Sequence, residues 1–379
     1  MPELSPNVRA MPPSGVFRIH HLMVQLGEPM IRLHVGEPGG RIAEHIAAAA
    51  KAAWDRDDTD YTTNAGIRPL REAFAARVSG YGRPIDPADV WVTNGATHAV
   101  YQAVGAVASA GGEVLIPDPG YPIFNLSTRY HGAEPVRYAL RPEAGFQPEI
   151  AVLEALVTPR TRAIVVNSPS NPLGTVLTES LALELLAFAR RHDLWVVSDE
   201  VYEALTWGVP HVSLTGLDTD GRVLGAFSLS KTYAMTGIRV GALVVPPAVS
   251  PAIAAEQDAV TACINTPAQY AGIAALTGPQ DHVEEARAHY VANLAASRGL
   301  LEAKGLDFIP ALGAFYLWID LRHATDGDVA TWAERFLRER RVAVSPGTSF
   351  GPAGEGWIRV CYAGETEELL AGLRALPSR

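Results

Sequence analysis

Between Val90 and Val245 the sequence repeats one pattern: a short apolar run, a turn of small residues, then a stretch with helical spacing. The runs Val90 to Thr93, Glu113 to Pro117, Ala163 to Val166, Leu194 to Ser198 and Arg222 to Ser228 are too continuously apolar to leave one face wet. Strands buried on both faces read this way, and strands that alternate with helices pair in parallel. Between them, Leu181 to Arg191 places Leu181, Leu185 and Ala189 on one helical face. Ahead of them, Ala43 to Ala53 reads as a helix with Ile42, Ile46 and Ala49 or Ala53 aligned. The expected architecture is α/β, a mostly parallel sheet covered by helices. Open sheets of this kind bind ligands beyond the carboxyl ends of their strands, so the chemistry should be sought there.

Each strand end presents something. After the last run come Ser228, Ser230 and Lys231, with Arg239 eight residues beyond the lysine. A lysine held among small residues at a strand end is desolvated, which lowers its pKa and leaves a nucleophilic amine able to form a Schiff base. A guanidinium and a hydroxyl nearby suit a phosphate. Leu194 to Ser198 delivers Asp199, a carboxylate that needs a cationic partner if buried, and Tyr202 follows three residues on. Ala163 to Val166 breaks into a Pro/Gly turn that presents Asn171, with Pro172 and Gly174 behind it. Gly95, Ala96 and Thr97 open a helix directly after Val90 to Thr93, where free N–H groups can cradle phosphate. Asp118-Pro-Gly-Tyr121 sets an aromatic ring at another strand end. Taken singly, each admits a plainer reading: a surface lysine, a capping aspartate, an ordinary turn, a packing tyrosine.

Taken in order, these residues resemble the class I/II aminotransferases, the fold-type-I enzymes that use pyridoxal 5′-phosphate (PLP). The resemblance runs from about Ser14 to the C-terminus. It implies that Lys231 bonds the cofactor as a Schiff base, that Asp199 pairs with its pyridinium nitrogen, and that Asn171 and Tyr202 bond its ring 3-oxygen. Tyr121 resembles the residue stacked on the ring. Gly95, Ala96, Thr97, Ser228 and Arg239 resemble the phosphate site. Tyr61, in Asp60-Tyr-Thr-Thr-Asn64, matches a tyrosine that reaches the phosphate of a partner subunit, so a homodimer with shared sites is implied. Gly36, Asn171 and Arg359 match the clamp for the substrate α-carboxylate. The implied activity is amino-group transfer from an L-amino acid to a 2-oxo acid; elimination or cyclisation on the same fold would use the same residues. Two positions depart from the pattern. Leu173 stands where a threonine is usual, and Thr97 stands where aspartate-specific relatives usually carry lysine. Val16, Phe17 and Phe315 would suit an apolar or aromatic substrate side chain.

With 379 residues there is room for two domains at roughly 150 residues each. The resemblance divides them into 41–280, the large cofactor-binding domain, and 1–40 with 281–379, a smaller α+β domain. In the latter, Pro279 to Lys304 reads as a connecting helix; Ala314 to Asp320 and Trp357 to Cys361 read as strands, and Thr331 to Arg340 and Glu367 to Leu376 as helices. A net charge of −10 without a basic block argues against nucleic acid or an anionic membrane as partner. Cys263 and Cys361 form no metal-type pair, and the His20-His21 doublet has no acidic or sulfur ligand at metal spacing, so no metal is expected. No apolar run approaches the ~20 residues of a membrane span, and the N-terminus lacks a signal-like segment. A cytoplasmic protein is expected. A regulator with a DNA-binding module is not, because the transferase-like motifs begin by about Ser14.

Overall fold

The computed structural model describes residues 2–9, 11–12, 15–27 and 29–379. The expectations for Val16 and Phe17, whose side chains are not described, lie outside that set. The strands in chain order are β1 (Ile31–Arg32), β2 (Val90–Thr93), β3 (Glu113–Asp118), β4 (Glu134–Ala139), β5 (Thr161–Asn167), β6 (Trp195–Asp199), β7 (Val223–Ser228), β8 (Gly241–Val244), β9 (Tyr316–Asp320), β10 (Val342–Ala343), β11 (Ser345–Pro346) and β12 (Trp357–Cys361).

Seven of them form one sheet in the order β2-β8-β7-β6-β5-β3-β4. Every pair from β7 across to β4 is parallel, while β8 runs antiparallel to both its neighbours. This mixed sheet, mostly parallel, is the α/β architecture expected from the apolar runs. Alternate side chains leave it in opposite directions. On one face Val114, Ile116, Val165, Val197 and Leu224 pack with Ala99, Val100, Ala103 and Val104 of the helix Ala96–Val107. On the other, Leu115, Ile164, Val166 and Val196 meet Leu185, Leu186 and Phe188 of the helix Glu179–Arg191. Both faces are therefore dry, which is why the strands show no polar alternation. Each fully buried aliphatic side chain contributes about 1.5–3 kcal/mol relative to leaving it exposed.

A second body forms around β9, β11 and β12, an antiparallel sheet in the order β11-β12-β9, with the helices Val329–Arg340 and Thr366–Arg374. Its core takes in Leu22, Met30 and Leu33 from near the N-terminus. The link is a parallel pairing of β1 with β10, Ile31 opposite Val342 and Arg32 opposite Ala343. The helix Asp281–Ala303 leads from the large sheet into this body. Bringing 31–36 back beside β12 sets Gly36 and Arg359 over the carboxyl ends of β5, β6 and β7.

Candidate active site

A cavity of about 400 Å³ opens at those strand ends. Gly36, Ala96, Thr97, Tyr121, Asn171, Asp199, Tyr202, Ser228, Lys231, Arg239 and Arg359 all line it. The folded chain thus gathers almost every residue singled out from the sequence. Gly95 sits at the cap of the helix that supplies Ala96 and Thr97. Tyr61 stays outside, 89% exposed on the surface of the single chain.

Lys231 follows β7 by three residues, and its Nζ donates to the Gly36 carbonyl at 2.6 Å. Desolvation lowers its ammonium from the ordinary value to about 8. Arg359 and Arg239 push the same way, against Cys361 and Glu37. The loop that carries it is locally strained. Ala234 (φ 52°) and Arg239 (φ 64°) occupy the left-handed region, although Gly237 lies between them. Each such non-glycine residue costs of order 1 kcal/mol or more and persists only where its surroundings hold it. Arg239 is held: it donates to the carbonyl oxygens of Thr236 (2.7 Å) and Asn94 (2.9 Å).

Asp199 ends β6 and is 4% exposed. The Val201 N–H donates to its carboxylate at 3.3 Å, and no ion pair reaches it among the described residues. Burial pushes its carboxyl up to about 7; the Glu200 carboxylate adds to this, while the Val201 N–H and the Lys231 amine oppose it. A buried acid left in this condition calls for a cation from a ligand. Glu200 behind it has no such need, since Ser198, Thr215 and His211 all donate to it.

Asn171 is placed by its own turn: its N–H donates to Asn167 Oδ1 at 2.7 Å, and Asn167 Nδ2 donates to the Asp199 carbonyl at 3.0 Å. Gly174 takes φ 69° to reverse the chain. Leu173, where a hydroxyl was expected by resemblance, is fully buried in the core beneath the sheet, so the turn is anchored by packing. Arg359, 3% exposed, donates to Asn171 Oδ1 (2.9 Å), the His34 carbonyl (2.5 Å) and Ser345 Oγ (3.4 Å), and its Nε has no partner. Its guanidinium lies over the rings of Tyr316 (4.4 Å) and Phe350 (4.8 Å). Burial raises the Tyr121 phenol, and the Thr97 hydroxyl bonds to it. At the helix start, the His98 and Ala99 N–H groups donate to the Gly95 carbonyl at 3.1 and 3.2 Å, and Ala96 and Thr97 line the cavity together with Ser228 and Arg239.

Phe315 requires a correction. It was expected near the substrate, yet it is fully buried in the smaller core, edge-on to Tyr202 at 5.5 Å. Tyr316, the first residue of β9, lines the cavity instead, whereas Phe315 belongs to the turn before that strand. Tyr316 and Ile123 are lining residues that sequence reasoning did not name, and His20, considered there only as a metal ligand, lines the cavity as well.

A family model described as aminotransferase class I and II matches residues 28–376. This chain belongs to that family. The aminotransferase is 35% identical over 374 residues to aromatic-amino-acid aminotransferase 2 of Thermococcus litoralis, covering 97% of this chain and 95% of that one. It is 34% identical to aspartate/prephenate aminotransferase of Thermus thermophilus, covering 98% and 97%. It superposes on the solved Thermus thermophilus aspartate aminotransferase with maleate at a TM-score of 0.94, with 34% identity and 99% of each chain covered. The enzyme is therefore a transferase that moves an amino group from an amino acid to a 2-oxo acid. The family implies PLP, and the aminotransferase's own residues fit it: a buried carboxylate without a cation, an amine of lowered pKa, and a helix start beside an arginine, all on one cavity.

Proposed function

We propose that this aminotransferase holds PLP in the 400 Å³ cavity and exchanges amino groups there in two half-reactions. The observation that carries the reading is Asp199, a deeply buried carboxylate without a cation of its own, opening on the same cavity as Lys231. A pyridinium nitrogen would supply that cation. When bound, the cofactor supplies a carbon for imine exchange and a ring that accepts the electron pair left at the substrate Cα. The chain's residues do the rest. Lys231, with an amine near pKa 8, takes the Cα proton and returns it. Asp199 keeps the ring nitrogen protonated. Asn171 and Tyr202 hold the ring oxygen, and Tyr121 covers the ring face. Gly95, Ala96, Thr97, Ser228 and Arg239 hold the phosphate, joined by Tyr61 of a second copy in a homodimer. Arg359, with Gly36 and Asn171, holds the α-carboxylate and so fixes the angle of the breaking Cα–H bond.

The donor's side chain is uncharged in this proposal. Among the described lining residues the fixed cations are Lys231, Arg239 and Arg359, and each already has an assignment. Tyr121, Tyr316, Ile123 and Val35 make the remaining wall largely apolar. Segments 1–40 and 281–379 act as the smaller domain, against 41–280, and a cytoplasmic setting suits two free cysteines. No described helix is long and apolar enough to cross a membrane. A panel of amino acids mixed one at a time with the holoenzyme tests the reading. An apolar or aromatic donor should bleach the visible band, and a 2-oxo acid should restore it. A band that responds to no amino acid, or to aspartate above all, contradicts it.

A further inference from the structure

Tyr316 stands where three parts of the site meet. From β9, its hydroxyl lies 2.6 Å from the Tyr202 hydroxyl at the end of β6, and both side chains are buried. The same hydroxyl fills the space a β-carbon on Gly36 would need, so that segment approaches closely only because residue 36 is glycine. Its ring carries the Arg359 guanidinium at 4.4 Å.

Burial raises both phenols well above their ordinary range, so both stay protonated. Each phenol has one hydrogen to give, and a pair of neutral phenols in contact places only one hydrogen between the two oxygens. Which oxygen donates decides what the cavity sees. Arg359 sits against the Tyr316 ring, and a cation there makes Tyr316 the better donor. The pair then runs from Tyr316 to Tyr202, leaving the Tyr202 hydrogen free for the cavity.

We propose that Tyr316 is a positioning residue that donates to Tyr202 and so aims the Tyr202 hydrogen at the cofactor's ring oxygen, while its own ring supports Arg359. The inference rests on the cofactor reading above. Tyr316 acts through Tyr202 on one side and Arg359 on the other, and the two actions separate by substitution. Tyr316→Phe keeps the ring and removes the hydroxyl, whereas Tyr316→Leu removes both.

The test is a pH titration of the visible band in holoenzymes carrying wild-type residues, Tyr316→Phe, Tyr202→Phe and both changes. It is paired with calorimetry of 3-phenylpropionate, a carboxylate without an amine. A hydrogen bond to an anionic oxygen favours the deprotonated form, so losing it moves the midpoint upward. Tyr202→Phe should raise the midpoint by about 1–2 pH units, the loss of one bond to a charged group. Tyr316→Phe should raise it by roughly 0.2–0.6 unit, the cooperative share of that bond. The double variant should match Tyr202→Phe alone. Phenylpropionate affinity should stay within about twofold in Tyr316→Phe and fall about tenfold in Tyr316→Leu, from the lost cation–π support. An unmoved midpoint in Tyr316→Phe, or shifts that simply add in the double variant, overturns the relay. A wild-type protein with no visible band at all removes the cofactor reading and this inference together.

Discussion

Arg359 donates to the Oδ1 of Asn171 at 2.9 Å, tying β12 to the turn after β5 across 188 positions of sequence. That bond fixes one arm of a guanidinium whose plane is already set by two rings. The fork can therefore present its remaining hydrogens to a carboxylate without rearrangement. Arg359→Lys keeps the charge but loses the planar fork. We expect KM for the amino donor to rise by about 10- to 100-fold, the loss of one or two charge-assisted hydrogen bonds, with a smaller fall in kcat. Steady-state kinetics check this; an unchanged KM would remove Arg359 from the clamp.

Asp199 makes stability depend on pH in a definite direction. Its folded pKa, about 7, lies above the unfolded value of 3.8, so the folded state binds the extra proton between those limits. Stability of the cofactor-free protein should therefore fall as pH rises from about 4 to about 7. Asp199→Asn removes the titration. Free of cofactor, the variant should melt higher than wild type at pH 8, with the gap closing towards pH 4. With cofactor it should turn over poorly, since the ring nitrogen loses its charge partner. Melting curves across pH, with and without PLP, distinguish these outcomes from a variant that is merely less stable.

Gly95 takes φ 79°, and a β-carbon there would fall 2.7 Å from an Arg239 nitrogen. Alanine would be strained and would displace the arginine beside the helix start. Gly95→Ala should weaken PLP retention by about tenfold, from strain of 1–3 kcal/mol, while leaving the apo-protein folded. Equilibrium dialysis of PLP measures it.

Tyr61 is a large ring left 89% exposed, and Trp54 (60%) and Val260 (55%) are other exposed apolar side chains. We expect a homodimer in which Tyr61 serves the partner's cavity. Mixing Tyr61→Phe chains with Lys231→Ala chains should restore activity at the one site per mixed dimer that has both wild-type residues. An active monomer in sedimentation, or no recovery after confirmed subunit exchange, argues against a shared site.

The large sheet was legible because burial on both faces leaves a strong mark in the sequence, continuously apolar strands that end where the cavity opens. Lys231, Asp199 and Asn171 stand at or just past such strand ends, but their roles were implied by the family resemblance and not by the strand pattern. Other features leave no such mark. Phe315 and Tyr316 are adjacent aromatics in one apolar run, and the run does not show that the strand begins only at Tyr316. The Ala234 and Arg239 left-handed turns sit beside Gly237, which composition would favour for that conformation. The return of 31–36 to β10 and β12 is a pairing across some 310 residues, and a two-residue strand carries no periodicity to announce it. His20 reaches the cavity from the N-terminal helix by packing, with nothing in its own neighbourhood to signal it.

Lys231 is expected to hold the cofactor through its amine. Borohydride reduction of the holoenzyme, followed by peptide mass mapping, tests it most directly. Loss of the visible band is expected, with a single stable cofactor adduct on the peptide carrying Lys231, absent from Lys231→Ala protein that still binds PLP through its phosphate site. An adduct on another peptide, or a band that borohydride leaves intact, would contradict it.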